Sequence, residues 1–518
     1  MASDDQTATI AFLSDPASHG GLPVERIETH CAIVFLVGAR ALKLKRAVTY
    51  VFLDFASLAA RRAACEAELV LNRRTAPQIY QRIASVTRSP TGQLAIEGEG
   101  EVVDWLVVMA RFPSEGLFDR RATRGSLGQA DMTALADAIA DLHEVAAPVT
   151  TPVSTFERVV EGNINALRAW SGEPFDPAAI EAMAAALGRA FEVARPLLEA
   201  RGAAGFVRAA HGDLHLGNVC TLDGRPVLFD ALEFDPALAR IDVLYDLAFL
   251  LMDLWTRGFE SFAHQVLERW IARTGDDAGL ALLPLFLGLR AVIRAHVGAA
   301  TAHTASLGKA EAGLMRAQAL ERLHHARAFL APPPPRLVAI GGLSGTGKTT
   351  LARALAPGLG APPGARLLRT DLIRKRLAGV AETERLPPDS YTRHASDAVY
   401  ERLFTEAEAA LAQGRAVILD AVFARGAERA RAVALAREMG VAFDGLWLEA
   451  PVDVLTARVA SRLGDASDAT VATLAAQLQY DPGAIDWTRV AAEGSSQTVA
   501  ARAANALGRR HMSEKPRV

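Results

Sequence analysis

Hydrophobic and polar positions divide the chain into a strand-rich beginning, a long helical stretch and a final region in which strands and helices alternate. Two apolar runs around a central glycine in "CAIVFLVGARALKLKRAV" (31–48) predict a β-hairpin. The segment 58–74 has the spacing of a helix, and 100–112 has the pattern of a strand. From about residue 127 the pattern is that of amphipathic helices, except for one strand island at 219–230. We therefore expect a small strand-rich lobe before a larger helical lobe.

Four consecutive prolines in "APPPPR" (331–336) give the clearest boundary, because they cannot lie inside a helix and favour a stiff extended spacer. A helical stretch precedes them, and the buried strand "LVAIGG" follows. The prediction is an α/β multidomain protein with an α+β domain before the linker and an α/β domain with a parallel sheet after it. Its parts are domain 1–330 (N-lobe about 25–112, helical C-lobe about 113–330), the linker 331–336, a second domain at 337–508 and a loose tail at 509–518.

Composition is that of a soluble globular protein. The 518 residues are too many for one hydrophobic core, half are apolar and 22% are charged. The net charge of −3 gives no overall basic field, so a nucleic-acid partner is not expected. The acidic start "MASDDQTATI" lacks the features of a signal peptide, and apolar runs such as "LALLPLFLGL" are shorter than the about 18 residues that span a bilayer. We expect a cytoplasmic protein without membrane contact, and the oligomeric state stays open.

Lysine is rare, since only six of the 56 basic residues are lysine. A compact ammonium group and a planar guanidinium group grip phosphate oxygens differently. The lysines are therefore candidates for point contacts with phosphate, and Lys43, Lys45 and Lys348 each lie in a segment with further candidate chemistry.

The stretch "HGDLHLGNV" combines a carboxylate and an amide at a spacing that suits phosphoryl transfer. Behind it "VCTL" and "PVLF" flank "DGR", and Asp-Gly is a strong hairpin signal. The hairpin would bring Asn218 and Asp230 together at its open end, where their oxygens suit a divalent cation that carries phosphates. Asp213 would point to the same place and could accept the proton of an acceptor hydroxyl. His211 is interpreted as structural, and a His211/His215 metal pair would lack a third ligand.

A nucleotide site of this kind also needs a strand lysine on the phosphates and a helix carboxylate that holds it. "ALKLKR" places Lys43 and Lys45 on one strand face, and "CEAELVL" offers Glu66 or Glu68 on the next helix. We favour Lys43 with Glu68 as ATP-binding residues. Lys45 is either part of the site or a solvated surface residue.

Residues 28–255 resemble an aminoglycoside phosphotransferase-type kinase domain. "HGDLHLGN" matches that family's catalytic loop, and "LFDALEFDPALARIDVLYDLAFL" matches its metal-aspartate segment. The resemblance implies a two-lobed protein-kinase-like fold, ATP and Mg²⁺ as cofactors, and Asp246 as structural support. It also implies that Asp213 is catalytic and that Asn218 and Asp230 bind metal. One departure is that the turn near "ETHCAIVF" has no glycines where a Gly-rich loop would cover the phosphates.

The second motif, "GLSGTGKT", fits the Walker A pattern G-x-x-x-x-G-K-[ST] between a predicted strand and a predicted helix. Its backbone amides would wrap phosphates at the start of the helix. Lys348 would bind the β/γ oxygens and act in catalysis, and Thr349 would hold Mg²⁺. The expected ATP-binding residues are Gly342, Leu343, Ser344, Gly345, Thr346, Gly347, Lys348, Thr349 and Thr350.

Five further polar positions follow the P-loop. Asp371 ends a predicted strand and Arg374 lies on the next helix; Asp371 could instead cap that helix. Asp420 ends the strand of "AVILDAVF" and would hold the Mg²⁺ shell. Arg458 and Arg462 would form a catalytic lid, or else a solvated face. In this order the residues resemble P-loop domains of the polynucleotide-kinase, zeta-toxin and gluconate-kinase type, in which Asp371 would activate the acceptor hydroxyl and Arg374 would grip phosphate.

The order of the two domains resembles the bacterial family described as bifunctional aminoglycoside phosphotransferase/ATP-binding proteins, and "FLDF", "RTDLIRKRL" and "FDGLWLEAP" add to this resemblance. It implies two ATP·Mg²⁺ sites that each transfer a γ-phosphate to a hydroxyl of a small-molecule acceptor. One alternative is an ATPase-type regulator or sensor with a catalytically weak kinase-like domain. A second alternative is a polynucleotide 5′-kinase, for which the arginine-rich segments 366–376 and 425–437 would form a basic channel.

The sequence does not identify the acceptor. Glu233, Asp235 and Asp242 would either attract a cationic acceptor or only surround the metal site.

Overall fold

The computed structural model describes residues 5–29, 31–50, 53–303, 308–461, 467–479 and 481–513. The chain forms two compact units. The first unit consists of Met1–Arg257, Ala272–Thr274 and Leu289–Leu323. The second unit consists of Gly258–Ile271, Gly275–Gly288 and His324–Val518. Three stretches that precede the proline linker, 258–271, 275–288 and 324–330, therefore belong to the same compact unit as the residues that follow it.

The strand-rich lobe of the first unit is a six-stranded antiparallel sheet in the order β1-β2-β3-β8-β6-β7. The predicted hairpin at 31–48 and the predicted helix at 58–74 are both present. Ser57 caps that helix by accepting the N–H of Ala60. The lobe's elements are α1 (Thr7–Ser14), β1 (Val24–Glu28), β2 (Ala32–Val37), β3 (Arg40–Lys45), β4 (Thr49–Tyr50), β5 (Leu53–Asp54), α2 (Leu58–Asn72), β6 (Tyr80–Arg88), β7 (Leu94–Ile96) and β8 (Glu101–Ala110).

The middle of the chain is helical, as predicted, and contains the predicted hairpin β10–β11. It also contains one antiparallel pair, β9–β12, that the sequence did not predict. Its elements are α3 (Phe118–Thr123), α4 (Gln129–Val145), α5 (Val153–Arg168), α6 (Pro177–Ala203), β9 (Val207–Ala209), β10 (Val219–Leu222), β11 (Arg225–Leu228), α7 (Pro236–Ala239), β12 (Arg240–Asp242), α8 (Val243–Thr256), α9 (Glu260–Thr274), α10 (Leu283–Ala302) and α11 (Lys309–Leu330).

The C-terminal region contains a five-stranded, all-parallel sheet in the order β14-β15-β13-β16-β17. Apolar clusters cover both of its faces. The last helix continues to Ser513, into the segment expected to be a loose tail. The elements are β13 (Arg336–Gly341), α12 (Lys348–Leu355), β14 (Arg366–Arg369), α13 (Thr370–Ala378), α14 (Arg393–Ala412), β15 (Val417–Asp420), α15 (Gly426–Glu438), β16 (Ala442–Glu449), α16 (Val452–Ala460), α17 (Val471–Gln477), β17 (Thr488–Ala491) and α18 (Ser496–Ser513).

One helical span among the described residues, Leu280–Ala302, is long and apolar enough to cross a membrane by length and composition. Its first ten residues form the run "LALLPLFLGL", which was predicted to be too short to span a bilayer, but the apolar character continues to Ala302. Within the fold, 67% of its most apolar window is buried.

Candidate functional sites

Asp246, on the buried helix α8, fixes the start of the loop 211–218. Its carboxylate accepts the N–H of His211 at 3.0 Å and that of Gly212 at 2.8 Å, and His143 Nε2 lies 3.1 Å away. Burial acts to raise the pKa of Asp246, but the contact with His143 outweighs it and lowers the pKa to about 2. The ring of His211 is buried, with Nε2 3.0 Å from the carbonyl oxygen of Phe229. His211 thus supports the loop, as the sequence analysis expected.

Asp213 presents an accessible carboxylate in this loop, with 40% of its side chain exposed. Asn218 Nδ2 donates to Asp213 Oδ2 at 3.0 Å, and His215 Nε2 lies 3.5 Å from the same oxygen. Desolvation acts to raise the pKa of Asp213, but His215 and then Arg294 outweigh it, so its pKa lies below the usual range. At neutral pH Asp213 is therefore ionised and can accept a hydroxyl proton in a hydrogen bond.

The β10–β11 hairpin brings Asn218 and Asp230 to one end, as predicted. The N–H of Phe229 donates to the carbonyl oxygen of Asn218 at 3.0 Å, and Asp230 is the next residue. The turn uses left-handed backbone at Asp223 (φ 49°) and Gly224 (φ 74°), which an Asp-Gly pair accommodates. The two polar side chains are thus placed by a short local element.

Asp230 itself has left-handed backbone, with φ 60°. Such a conformation is costly for a residue other than glycine and persists only where neighbours hold it. The Asp230 N–H donates to Tyr80 Oη at 3.1 Å, and the N–H of Ala231 donates to Asn72 Oδ1 at 2.8 Å. The strand-rich lobe therefore holds the aspartate in place.

Two lysines of β3 share the buried carboxylate of Glu68 on α2. Lys43 Nζ lies 2.8 Å from Glu68 and 2.6 Å from Asp230. Lys45, expected to be either a site residue or solvated, is buried and pairs with both Glu68 and Glu233. Burial acts to raise the pKa of Glu68, but Lys43 and Lys45 outweigh it and lower the pKa to about 2. The pairing of Lys45 with Glu233 was not predicted.

The P-loop 342–350 folds around the ammonium group of Lys348. Lys348 Nζ donates to the carbonyl oxygens of Gly342 at 2.9 Å and Leu343 at 3.1 Å. Gly347, with φ 87°, is the N-cap of α12, so the helix starts at Lys348 and faces the loop with its N-terminus. A cation beside free backbone amides at a helix start suits a phosphate group.

Two glycines of this loop cannot carry a side chain. A Cβ at Gly342 (φ +139°) would lie 2.7 Å from the carbonyl oxygen of Leu448, and one at Gly345 (φ +89°) would lie 2.7 Å from that of Leu455. The loop consequently lies against the end of β16 and against α16. Of the other predicted loop residues, Thr346 Oγ1 donates to the carbonyl oxygen of Leu343 at 2.8 Å, and the N–H of Ser344 donates to Gln477 Oε1 at 2.9 Å.

Asp420 and Asp371 lie near this loop at the carboxyl ends of the parallel strands, where open α/β sheets bind ligands. Thr349 Oγ1 donates to Asp420 Oδ2 at 2.6 Å, and Arg369 Nε lies 3.5 Å from the same oxygen. Asp371 is in the first turn of α13, whose N-cap is Arg369, so it does not cap the helix. Burial and then the charge of Asp420 raise the pKa of Asp371.

The predicted arginines differ in position. Arg374 Nη1 donates to the carbonyl oxygen of Ser390 at 2.5 Å, and its guanidinium lies 4.8 Å from the ring centre of Tyr391. Arg458 Nη1 lies 3.5 Å from the carbonyl oxygen of Gly345 and so reaches the P-loop. Arg462 lies outside the described residues.

Lys375 belongs to a polar cluster that sequence reasoning missed. It is buried, its Nζ lies 3.1 Å from Asp468, and Tyr391 Oη donates to the same carboxylate at 2.6 Å. The rarity of lysine was the signal that could have indicated this residue, because Lys375 is one of only six lysines and directly follows the predicted site residue Arg374.

The donor groups at both sites fit Mg²⁺. Among the described residues no group of three or more His, Cys, Asp or Glu side chains could hold a metal ion. Mg²⁺ is commonly held by one or two protein oxygens together with substrate phosphates and water. Asp230 with Asn218, and Asp420 with Thr349, each supply such a pair of hard oxygen ligands.

Most arginines of the segments 366–376 and 425–437 contact carboxylates or backbone carbonyls of their own unit. Arg437 is exposed, and no such contact of its guanidinium group occurs among the described residues. The contacts join Arg366 to Glu268 and Asp277, Arg376 to Glu406, Arg425 to Asp397 and Glu428, Arg429 to the carbonyl oxygens of Phe423 and Pro482, and Arg431 to Glu438.

Two family models match separate parts of the chain. The model described as "Phosphotransferase enzyme family" matches residues 119–283, and the model described as "AAA domain" matches residues 337–482. The uncharacterized protein Rv2004c of Mycobacterium tuberculosis is 33% identical over 469 residues, which cover 88% of this chain and 90% of that protein. A counterpart in Mycobacterium bovis has the same identity and coverage.

Solved structures are similar to one part of the chain or the other. A choline/ethanolamine kinase family protein from Mesorhizobium loti is 15% identical and covers 62% of this chain and 97% of its own, with a TM-score of 0.37. A gluconokinase from Sinorhizobium meliloti 1021 is 19% identical and covers 35% of this chain and 98% of its own, with a TM-score of 0.25. These TM-scores are too low to support a conclusion by themselves.

Proposed function

The chain belongs to the family that joins an aminoglycoside phosphotransferase-type kinase domain to a P-loop kinase-like domain, and from this premise we propose an ATP- and Mg²⁺-dependent phosphotransferase with two nucleotide sites. Each site would transfer the γ-phosphate to a hydroxyl group of a small molecule. The observation that carries the proposal is the accessible, ionised Asp213, held by Asn218 at the end of a hairpin that also presents Asp230.

In the first unit, Lys43 would bind nucleotide phosphates, with Glu68 as its counter-charge. Asn218 and Asp230 would hold Mg²⁺, which neutralises charge on the transferred phosphate when bound. Asp213 would orient the acceptor hydroxyl and take its proton. Because Lys43 also pairs with Asp230, nucleotide binding would exchange that ion pair for contacts with phosphate and metal.

In the second unit, the amides of 342–350 and Lys348 would hold the phosphates, and Thr349 with Asp420 would hold Mg²⁺. Asp371, whose pKa is raised, would accept the proton of a second acceptor hydroxyl. Arg374 and Arg458 would supply positive charge to the transferred group, and Arg458 reaches the carbonyl oxygen of Gly345 in the P-loop.

The test is ADP release by the full chain with ATP and Mg²⁺, with and without a deproteinised bacterial metabolite extract. The variants are Asp213→Asn and Lys348→Met, which remove one charge each at nearly constant size. We expect the extract to stimulate ADP release and each variant to lose a different share of it. Loss of one member of such a site commonly costs at least about a hundredfold in rate.

Matched controls are Asp223→Asn and Lys309→Ala, since both residues are exposed and lie outside the proposed sites. Asparagine also tolerates the left-handed backbone at position 223. Extract-dependent ADP release that survives both Asp213→Asn and Lys348→Met would contradict the proposal.

The regulator alternative is favoured by one observation, the closed ion pair between Lys43 and Asp230. A first unit that binds nucleotide without chemistry would leave ADP release independent of the extract and dependent on Lys348 alone. The same assay therefore separates the two functions.

A further inference from the structure

Arginines gather on one side of the loop that carries Asp213. Arg290 and Arg294 lie one turn apart on α10, Arg257 follows α8, and Arg322 lies on α11. Arg290 Nη1 donates to the carbonyl oxygen of Gly212, the residue before Asp213, at 3.2 Å. Arg294 follows Arg290 by four residues, which is a rise of about 6 Å along the axis of α10. Arg294 therefore lies about one helical turn from the contact between Arg290 and Gly212.

The guanidinium groups of Arg257 and Arg290 each contact another residue of the first unit. Arg257 Nε lies 2.9 Å from the Asp253 carboxylate. The same carboxylate accepts the N–H of Leu216, in the loop 211–218, at 3.1 Å. Arg290 lies 3.9 Å from the ring centre of Tyr245 and donates to the loop. By contrast, no hydrogen bond or ion pair joins Arg294 or Arg322 to another residue in the part of the chain that the structure describes.

The side chain of Arg322, which belongs to α11, reaches the face of α10 that carries Arg294. A Cβ at Gly298, one turn beyond Arg294, would lie 3.3 Å from Arg322 Nη1, so the side chain of Arg322 crosses the helix at the glycine. Burial and then repulsion from Arg294 lower the pKa of Arg322 to about 10, although the charges of Asp253 and Glu321 act to raise it. The charges of Asp213 and Asp253 act on Arg294, and that of Asp253 acts on Arg322, but neither arginine forms an ion pair with them among the described residues. A bound anion would supply the direct contact that these two partly buried cations lack.

Two of the three acidic residues that could have attracted a cation, Glu233 and Asp242, form ion pairs within the fold. Glu233 pairs with the buried Lys45. Asp242 binds Arg201 through both carboxylate oxygens at 2.6 and 2.9 Å and accepts the N–H of Leu244 at the start of α8. These carboxylates support the fold and do not offer a cationic acceptor a binding site.

We propose that Arg294 and Arg322 form an anion subsite beside Asp213 and that the hydroxyl acceptor of the first unit carries a phosphate or carboxylate group. This inference rests on the proposed function, because it names the acceptor class for the same site. Guanidinium groups match both kinds of anion through paired N–H donors. In the transfer, the acceptor oxygen bonds to the γ-phosphorus, the bond to the β–γ bridging oxygen breaks, the proton goes to Asp213, and ADP leaves.

Binding is tested first, without turnover. The full chain is saturated with the non-hydrolysable ATP analogue AMP-PNP and Mg²⁺, so that both nucleotide sites are filled. Inorganic phosphate and succinate are then titrated in separate calorimetric experiments, which distinguish a phosphate site from a carboxylate site. We expect at least one of these anions to bind, and Arg294→Gln and Arg322→Gln each to weaken binding about tenfold.

Arg327→Gln is the control, because Arg327 is an exposed residue of the same helix as Arg322. It should leave the affinity for the anion unchanged. The proposal is overturned if neither anion binds to the wild type, or if Arg294→Gln and Arg322→Gln have no more effect than the control.

A second measurement separates this proposal from the proposed function. The metabolite extract is divided by ion exchange, and Asp213-dependent ADP release is followed in each fraction. Release with the fraction retained on an anion exchanger supports an anionic acceptor. Release with the cationic fraction instead would overturn the anion subsite and retain the kinase activity. Anion binding that depends on Arg294, without Asp213-dependent release in any fraction, would support the subsite and contradict the proposed function.

Discussion

Glu68 holds two like charges together, since Lys43 and Lys45 both pair with it inside the first unit. With Glu68→Gln the two ammonium groups would lose their shared counter-charge and repel each other. We expect the free energy of unfolding of this unit to fall by about 3 kcal/mol and its affinity for ATP to decrease. Chemical denaturation and ATP binding in a Lys348→Met background measure both effects.

Glu66→Gln is the matched control, because Glu66 is on the same helix and its side chain is 50% exposed beside Arg62. An exposed pair of this kind contributes little to stability. Equal effects of the two substitutions would show that Glu68 has no special role.

Asp246 gives the first unit a defined response to acid. Its pKa is about 2 in the folded protein and about 4 in an unfolded chain. Because the folded value is lower, ionised Asp246 stabilises the fold above about pH 4, and this contribution is lost as the pH falls towards 2. We expect Asp246→Asn to lower the free energy of unfolding by about 2 kcal/mol at pH 7, with a smaller difference below pH 4. Denaturation of both proteins is measured at pH 7, 4 and 3. A difference in the free energy of unfolding that is the same at all three pH values would contradict this prediction.

At the scale of single elements, the strand pair β13–β16 depends on two glycines that make room for tryptophans. A Cβ at Gly445 would lie 2.3 Å from Trp487, and one at Gly341 would lie 2.8 Å from Trp447. Since β13 leads directly into the P-loop, this packing sets where the loop begins. It couples the core of the second unit to the P-loop.

We expect Gly445→Ala to lower the free energy of unfolding of the second unit by about 3 kcal/mol, because an added methyl group meets a packed ring. Its control is Gly358→Ala, where a Cβ would meet nothing within 4 Å. Thermal unfolding and ATP binding would be measured together. If Gly445→Ala is as stable as Gly358→Ala, the packing of Trp487 does not constrain the strand.

Elements whose signals are local could be predicted from the sequence. The β2–β3 and β10–β11 hairpins and the P-loop before α12 depend on turn residues and periodicity within about 20 residues. The pair β9–β12 could not be predicted, because each strand has three residues and their pairing depends on the loop folded between them. Likewise, Lys45 meets Glu233 across 188 positions of sequence. The lack of an ion pair or hydrogen bond at Arg294 among the described residues depends on helices that are distant in sequence, and no motif indicates it.

At the scale of the whole molecule, the second unit includes residues from before the linker. Arg366, at the start of β14, lies 2.7 Å from Asp277 and also pairs with Glu268, and the ring of His264 binds the carbonyl oxygen of Ala365 at 2.8 Å. These contacts anchor the strand that leads to Asp371. The proline linker is a marked feature of the sequence, but the compact units divide the chain elsewhere.

We expect Glu268→Gln combined with Asp277→Asn to lower the free energy of unfolding of the second unit by about 3 kcal/mol, because Arg366 would remain buried without a counter-charge. Asp453→Asn, which changes an exposed carboxylate of the same unit, is the control. Denaturation monitored by tryptophan fluorescence reports the change. A double variant as stable as the control would show that Arg366 does not anchor the strand.

The interleaving of the two units also affects the order in which the protein can fold during its synthesis. Segment 258–271, with Trp270 and Ile271 buried in the finished protein, leaves the ribosome about 150 residues before β15 does. At about 5–20 residues per second, this delay is on the order of ten to thirty seconds. Throughout that interval the nascent helix exposes an apolar face, and the sheet of the second unit is complete only after β16 and β17 have also emerged. A gene truncated at the proline codons would therefore produce a chain with a permanently uncovered helix, which cellular chaperones would retain.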